Sequence, residues 1–319
     1  MTKLQFEFRT YARPFAKPLQ TRYGLWEVRE GILIRFRDRE GRVGYGEIAP
    51  LPWFGTETLA QAWNFCNQLP LELEPFAIAE IPLNLPACQF GLESAFTALR
   101  SDAQPVTLPI QRYAALLPTG EAALTAWRSL WQQGHRTFKW KIGVKDLFTE
   151  MAWLDQLAQT LPSEAQLRLD ANGSLTVETA QAWLQTCDRL SCIEYLEQPL
   201  PADALPEMLE FSYQFKTPIA LDESVATLAQ LQACYDQGWR GVFVIKPAIA
   251  GFPSALQRFC QTYAVDAVFS SIFGTAIARQ QGLRLAASLS NPNRAVGYGT
   301  AHWFKSPDSP NFDALWQNL

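Results

Sequence analysis

From about residue 110 onward, short apolar runs of β type alternate with stretches of helical period, and that alternation carries most of the architecture. The runs predict strands at 110–117, 137–142, 166–171, 192–198, 218–222, 241–246, 267–272 and 294–298. The stretches between them predict helices at 120–133, 146–160, 176–190, 203–214, 227–237, 252–262 and 274–288. Strands joined in this way by helices imply right-handed βαβ crossovers and a parallel sheet, and so many units in succession favour closure into a barrel. Before residue 105 the pattern is antiparallel instead. Strand-like runs at 30–36 and 41–48 flank the charged turn Arg37-Asp38-Arg39-Glu40-Gly41, and helical stretches follow at 57–69 and 88–101. The expected fold is therefore α/β: a modified TIM barrel, (β/α)7β, over residues 106–300, with an α+β capping domain over 1–105 to which 301–319 return.

Five barrel segments, TFKWKIG, LRLDANG, EYLEQPL, IALDES and VFVIKPA, each place ionisable residues at the end of an apolar run. Side chains alternate along a strand. Lys139 and Lys141 thus share a face, as do Arg168, Asp170 and Asn172, then Ala220 and Asp222, and Val244 and Lys246, while Trp140, Leu169, Leu221 and Ile245 should face the helices. Active sites on β/α barrels lie at the carboxyl ends of the strands, so the ionisable residues should converge on one mouth.

Asp170, Glu197 and Asp222 offer three hard oxygen donors without a histidine or thiolate, a set suited to Mg²⁺ or Mn²⁺ rather than zinc. A divalent ion there would bind a substrate carboxylate and stabilise the enediolate formed when the adjacent carbon loses its proton. The base must be neutral near pH 7, and like charge from Lys139 together with partial burial favours the neutral amine at Lys141. Lys246 ends a strand across the mouth, opposite Lys141.

Composition narrows the partners. A net charge of −4 without a basic patch gives no electrostatic reason to expect nucleic acid or an anionic membrane. No apolar stretch approaches the ~20 residues of a membrane span, and MTKLQFEFRTYARPF alternates like a strand rather than reading as a secretory signal. A cytoplasmic enzyme acting on a small-molecule carboxylate is the expectation; the sequence sets no oligomeric state. Cys66, Cys88, Cys187, Cys192, Cys234 and Cys260 include no Cys-x-x-Cys pair and read as reduced, mostly buried thiols.

The series Lys-x-Lys, Asp-x-Asn, Glu-Gln-Pro, Asp-Glu-Ser and Ile-Lys-Pro resembles the enolase superfamily, in its muconate-lactonising subgroup, over essentially the whole chain. The resemblance implies that Asp170, Glu197 and Asp222 are the metal ligands, that Lys141 is the acid/base on one face and Lys246 the residue on the other, and that Lys139 and Asn172 support them, with Glu223 beside Asp222. GYGEIAPLPWFG, residues 44–55, is similar to the capping-domain signature, whose loop, with a second loop near 22–25, closes over substrate. Trp53 and Phe54 would form that lid, the alternative being ordinary packing between domains. His135 and His302 stand at no strand end, so the histidine base of other superfamily members is absent. Where dipeptide epimerases carry Asp-x-Asp, this chain reads Gly297-Tyr298-Gly299-Thr300. With Ser270 and Ser271 before it, that end, Gly297 included, would offer backbone N–H groups to a distal carboxylate. Arg168 either faces substrate or pairs with the carboxylates as scaffold. The pattern resembles the subgroup's dehydratases of menaquinone or phylloquinone biosynthesis, the alternatives being N-acylamino acid racemisation, muconate-type cycloisomerisation and a non-catalytic, metal-stabilised scaffold.

Overall fold

The structure, a computed structural model, describes residues 3–21, 24–101, 104–300, 303–306, 308–309 and 311–319. Two sheets organise it. The first is antiparallel, in the order β3-β2-β1-β4, from β1 (Leu4–Thr21), β2 (Gly24–Arg37), β3 (Val43–Ile48) and the short β4 (Glu72–Leu73). Its helices are α1 (Leu59–Gln68) and α2 (Pro86–Leu99). Thr58 and Gln61 form a reciprocal capping box at the start of α1. Helix α2 lacks a side-chain cap of its own, and Glu57 supplies one from outside, accepting from Ala87 N at 3.2 Å and Cys88 N at 2.8 Å. Helix α2 lies directly on β3 because Gly46 has no side chain there: a Cβ would collide with the Gly91 carbonyl.

The second sheet is parallel and follows chain order: β5 (Ala115–Leu116), β6 (Thr137–Lys141), β7 (Gln166–Asp170), β8 (Ile193–Glu197), β9 (Ile219–Leu221), β10 (Val242–Ile245) and β11 (Ala267–Phe269). The connecting helices are α3 (Ala123–Gln132), α4 (Leu147–Thr160), α5 (Val177–Cys187), α6 (Leu205–Gln214), α7 (Leu228–Asp236), the single turn α8 (Pro247–Ala250), α9 (Pro253–Tyr263) and α10 (Ala276–Leu289). Parallel bridges Tyr113↔Val296 and Ser270↔Gly297 join the two edges. The eighth strand expected at 294–298 is thus reduced to these contacts. The run expected as a strand over 110–117 opens as a 3-10 turn, Ile110–Arg112, and becomes strand only at Ala115–Leu116. Pro109 gives no N–H to a ladder and fixes the backbone for a turn, in which Arg112 N donates to the Pro109 carbonyl at 2.9 Å.

Trp140, Leu169, Leu221 and Ile245 point into the core between strands and helices, as the alternation requires, while Tyr195, Ala220, Val242, Val244 and Val268 form a separate cluster inside the barrel. The last helix, α11 (Phe312–Gln317), brings Trp316 onto Tyr11, Leu33 and Tyr45 of the antiparallel sheet. All six cysteines are free thiols. Among the described residues no helix is long and apolar enough to cross a membrane.

Candidate active site

A cavity of about 510 Å³ opens at the carboxyl ends of the barrel strands, under a rim made by the antiparallel domain. Every candidate read from the sequence lines it: Lys139, Lys141, Arg168, Asp170, Asn172, Glu197, Asp222, Glu223, Lys246, Ser270, Ser271, Gly297, Trp53 and Phe54. Strand register explains the convergence. Lys141 pairs with Asp170, Asp170 with Glu197, and Glu197 with Ala220, two residues before Asp222. The carboxylates therefore end three adjacent strands, ~4.8 Å apart.

The lysines divide the carboxylates between them. Lys139 Nζ stands 2.7 Å from Asp170 Oδ2 and 2.7 Å from Glu197 Oε1, and Lys246 Nζ pairs with Asp222 Oδ1. Burial alone would lower the proton affinity of Lys139, but the charges of Asp170, Glu197 and Asp222 overrule it and hold the ammonium well above its ordinary value. Burial pushes the Glu197 carboxyl up to about 8 against the pull of Lys139, with Asp170 and Asp222 adding to the rise. Glu223 is raised to about 7 by burial and then by the charges of Asp222 and Asp170. Asn172 sits at φ +45°, where its main-chain N–H donates to Asp170 Oδ1 at 3.0 Å and its Nδ2 to Glu223 Oε1 at 3.2 Å.

Among the described residues, no group of three or more His, Cys, Asp or Glu side chains is drawn together tightly enough to hold a metal ion as it stands. The donor chemistry nevertheless fits one. Among the described residues, the carboxyl groups of Asp170, Glu197, Asp222 and Glu223 share the cavity with Lys139, Lys141 and Lys246, while the Arg168 guanidinium is committed to Glu194, and Glu223 Oε2 is buried without a hydrogen-bond partner. An all-oxygen donor set with an unpartnered carboxylate oxygen suits a hard divalent cation.

Of the two roles open to Arg168, it lines the cavity and also acts as scaffold, paired with Glu194 rather than with the strand-end carboxylates. Its Nε and Nη2 donate to Glu194 at 2.7 and 3.1 Å, Nη2 also donates to the Ala295 carbonyl at 2.8 Å, and the guanidinium lies 4.9 Å from the Tyr195 ring centroid. The cause is a bulge: Leu167 pairs with Ile193 but Arg168 with Tyr195, which leaves Glu194 as the extra residue, re-aimed towards Arg168. Of the backbone N–H groups expected to serve a distal carboxylate, those of Ser270, Ser271 and Gly297 are engaged within the protein. Ser270 N donates to Ile245 O, Ser271 N to Gly297 O, Gly297 N to Phe269 O, Phe273 N to Ser271 Oγ and Thr275 N to Glu47. Contacts that close the barrel, and Glu47 of the antiparallel domain, take up these donors, while Ser270, Ser271, Gly297, Gly299 and Thr300 line the cavity.

The segment expected to form a lid is a 3-10 turn, Pro52–Phe54, closed by Gly55 at φ +86°. Both aromatic residues of the turn are half-buried, line the cavity and pack against the core of the antiparallel domain. Of the second rim loop, residues 22 and 23 lie outside the described residues; Thr21 and Trp26, beside them, line the cavity. Sequence reasoning missed Tyr195, Trp26, Phe273 and Trp303, which also line it. Tyr195 stands two residues before Glu197 on one strand face and was legible by period; the other three come from loops and a hairpin whose placement only tertiary structure sets. Phe273 is held at φ +59°, a region sparse for non-glycine residues.

Fold and site together define the enolase-like class of capped β/α barrels: the family model described as Enolase C-terminal domain-like matches residues 122–312, and that described as MenC, N-terminal domain, matches residues 5–99. The chain is 41% identical to the o-succinylbenzoate synthase of Thermosynechococcus vestitus over 99% of both chains, and 27% identical to that of Thermobifida fusca over 90% of this chain and 80% of the relative. It superimposes with a TM-score of 0.92 on the crystal structure of o-succinylbenzoate synthase from Thermosynechococcus elongatus BP-1 complexed with Mg in the active site, at 41% identity over 99% of this chain and 100% of that one. The L-Ala-D/L-Glu epimerase of Bacillus subtilis shares the fold at 21% identity, with a TM-score of 0.75 over 96% and 92% of the two chains. The chain belongs to the o-succinylbenzoate synthase family of the enolase superfamily.

Proposed function

We propose that the chain is a hydro-lyase of the cytoplasm that dehydrates 2-succinyl-6-hydroxy-2,4-cyclohexadiene-1-carboxylate to o-succinylbenzoate, a step of menaquinone or phylloquinone biosynthesis. One observation carries this reading: in a chain whose full-length relatives are synthases, a single cavity brings Lys141 and Lys246 together with Asp170, Glu197 and Asp222. Residues 1–105 act as cap and 106–300 as catalytic barrel, with 301–319 returning to the cap.

Asp170, Glu197 and Asp222 would hold Mg²⁺ or Mn²⁺, which when bound supplies positive charge to the ring carboxylate and so acidifies the neighbouring C–H. Lys141 removes that proton, breaking the C–H bond and placing the proton on Nζ. The electron pair then expels the ring hydroxyl, and Lys141 returns its proton to the departing oxygen on the same face. Water is lost and the ring becomes aromatic. Lys246, paired with Asp222, transfers no proton in this mechanism and stabilises the anionic intermediate from the other side through its positive charge. Lys139 stays charged between Asp170 and Glu197 and holds both in place. The lid excludes water.

The test is turnover of the purified protein on the cyclohexadiene substrate against N-succinylamino acids, with and without Mg²⁺. Fast, Mg²⁺-dependent formation of o-succinylbenzoate is expected. Racemisation of the amino acid derivative with no dehydration would assign the site to the racemase alternative.

A further inference from the structure

Arg29, on β2, is only 3% exposed, and its four hydrogen bonds among the described residues all go to main-chain carbonyls. Its Nη2 donates to Ala49 O at 2.5 Å and its Nη1 to Pro50 O at 3.1 Å, both at the root of the lid turn. Its Nε donates to Ile272 O at 3.1 Å, in the loop that follows β11 on the opposite rim, and Nη1 also reaches Glu30 O at 2.8 Å. Burying a guanidinium is costly unless its donors are satisfied. Here three of the four bonds go to two loops that follow strands of different sheets, and the fourth goes to the neighbouring residue on β2. Only a planar fork with donors on several sides spans both at once.

The same side chain backs the aromatic residues of the rim. Its Cζ lies 5.5 Å from the Trp26 ring centroid, and Trp26 meets Trp53 edge-on at 5.0 Å and Phe273 at 5.7 Å. Arg29 therefore fixes the lid turn and the β11 loop through their backbones and supports the ring on which Trp53 leans. It lines no part of the cavity.

We propose that Arg29 is a positioning residue for the reaction: it sets the spacing between the lid turn and the β11 loop, and thereby holds Phe54 over Lys246. This rests on the function proposed above and identifies what places the lid in it. Arg29→Lys keeps the charge but offers a point ammonium that does not span both loops; Arg29→Gln keeps amide donors without the charge, and the two are run in parallel. Each is combined with Phe54→Ala in a double-mutant cycle, read as kcat and KM. In the otherwise native chain, either Arg29 variant is expected to lower kcat/KM roughly ten- to a hundredfold. In the Phe54→Ala background the same change should cost less than about threefold, because the contact that Arg29 serves is already gone. Equal losses in both backgrounds, or a folded Arg29 variant with native kcat/KM, would overturn the assignment. Native turnover of the cyclohexadiene substrate tests the function itself, whereas the coupling is read on whichever substrate the native protein turns over, so the two failures are distinguishable.

Discussion

The ring of Phe54 lies 4.4 Å from Lys246 Nζ, so a residue of the lid turn touches the cation that ends β10. A cation held against an aromatic face gains about 0.5–2 kcal/mol, more as water is excluded. The Pro52–Phe54 turn is therefore coupled to the charge of the site as well as to apolar packing.

Phe54→Ala and Trp53→Ala are expected to raise KM and lower kcat several-fold. Both side chains are half-buried at the rim rather than in the centre of a core, so the melting temperature should fall by only a few degrees. Steady-state kinetics and a thermal melt on each variant check this. Unfolding of either one would mark it as a packing residue first.

A divalent ion held by Asp170, Glu197 and Asp222 implies that exhaustive chelation abolishes turnover and that added Mg²⁺ restores it. Asp170→Asn, Glu197→Gln and Asp222→Asn should each remove most activity, at least ~10²-fold. Their Mg²⁺ affinity, measured calorimetrically, should fall in parallel. Full activity after chelation would remove the metal from the mechanism.

Asp266 provides a test away from the cavity mouth. Burial alone would raise its carboxyl, but hydrogen bonds from Arg294 and Asn291, reinforced by the Arg294 charge, hold it below the ordinary carboxylate range. A carboxylate whose folded value is depressed contributes stability that is full above its unfolded value, ~3.9, and is lost as pH falls through the folded value. Asp266→Asn should thus cost stability at neutral pH and flatten the acid limb of the melting curve. Thermal melts from about pH 6 down to about pH 3 decide it. An unchanged acid limb would show that other groups set it.

Much of this site was legible because β/α barrels translate sequence directly into place. The end of an apolar run is the mouth of the barrel, and period two picks the inward face, so the residues at 139, 141, 170, 197, 222 and 246 could be put in one cavity from spacing alone. What escaped depends on departures from that regularity. The bulge opposite Arg168 turns Glu194 to meet it, and no pattern in EYLEQPL announces an extra residue in the pairing. The closing strand is too short for periodicity, and its backbone donors are committed by bridges between residues far apart in the chain. Arg29 sits in an ordinary alternating strand, where an inward arginine carries no signal of the carbonyls it will meet.

Lys246→Ala and Lys246→Arg separate charge from proton transfer. In a same-face dehydration Lys246 acts through its positive charge, so Arg should retain more dehydration activity than Ala. Any racemase activity should be lost with both, since racemisation needs a base on each face. Turnover of each variant on both substrate types gives the result, and racemisation surviving in Lys246→Arg would reassign that residue.

The most direct measurement is deuterium exchange at the carbon beside the ring carboxylate, followed together with product formation, for native protein and Lys141→Ala in deuterated water with Mg²⁺ present. If Lys141 is the single acid/base, the variant should show neither exchange nor o-succinylbenzoate formation while remaining folded and binding Mg²⁺. Exchange or product at the native rate in Lys141→Ala would contradict it and place the base elsewhere in the cavity.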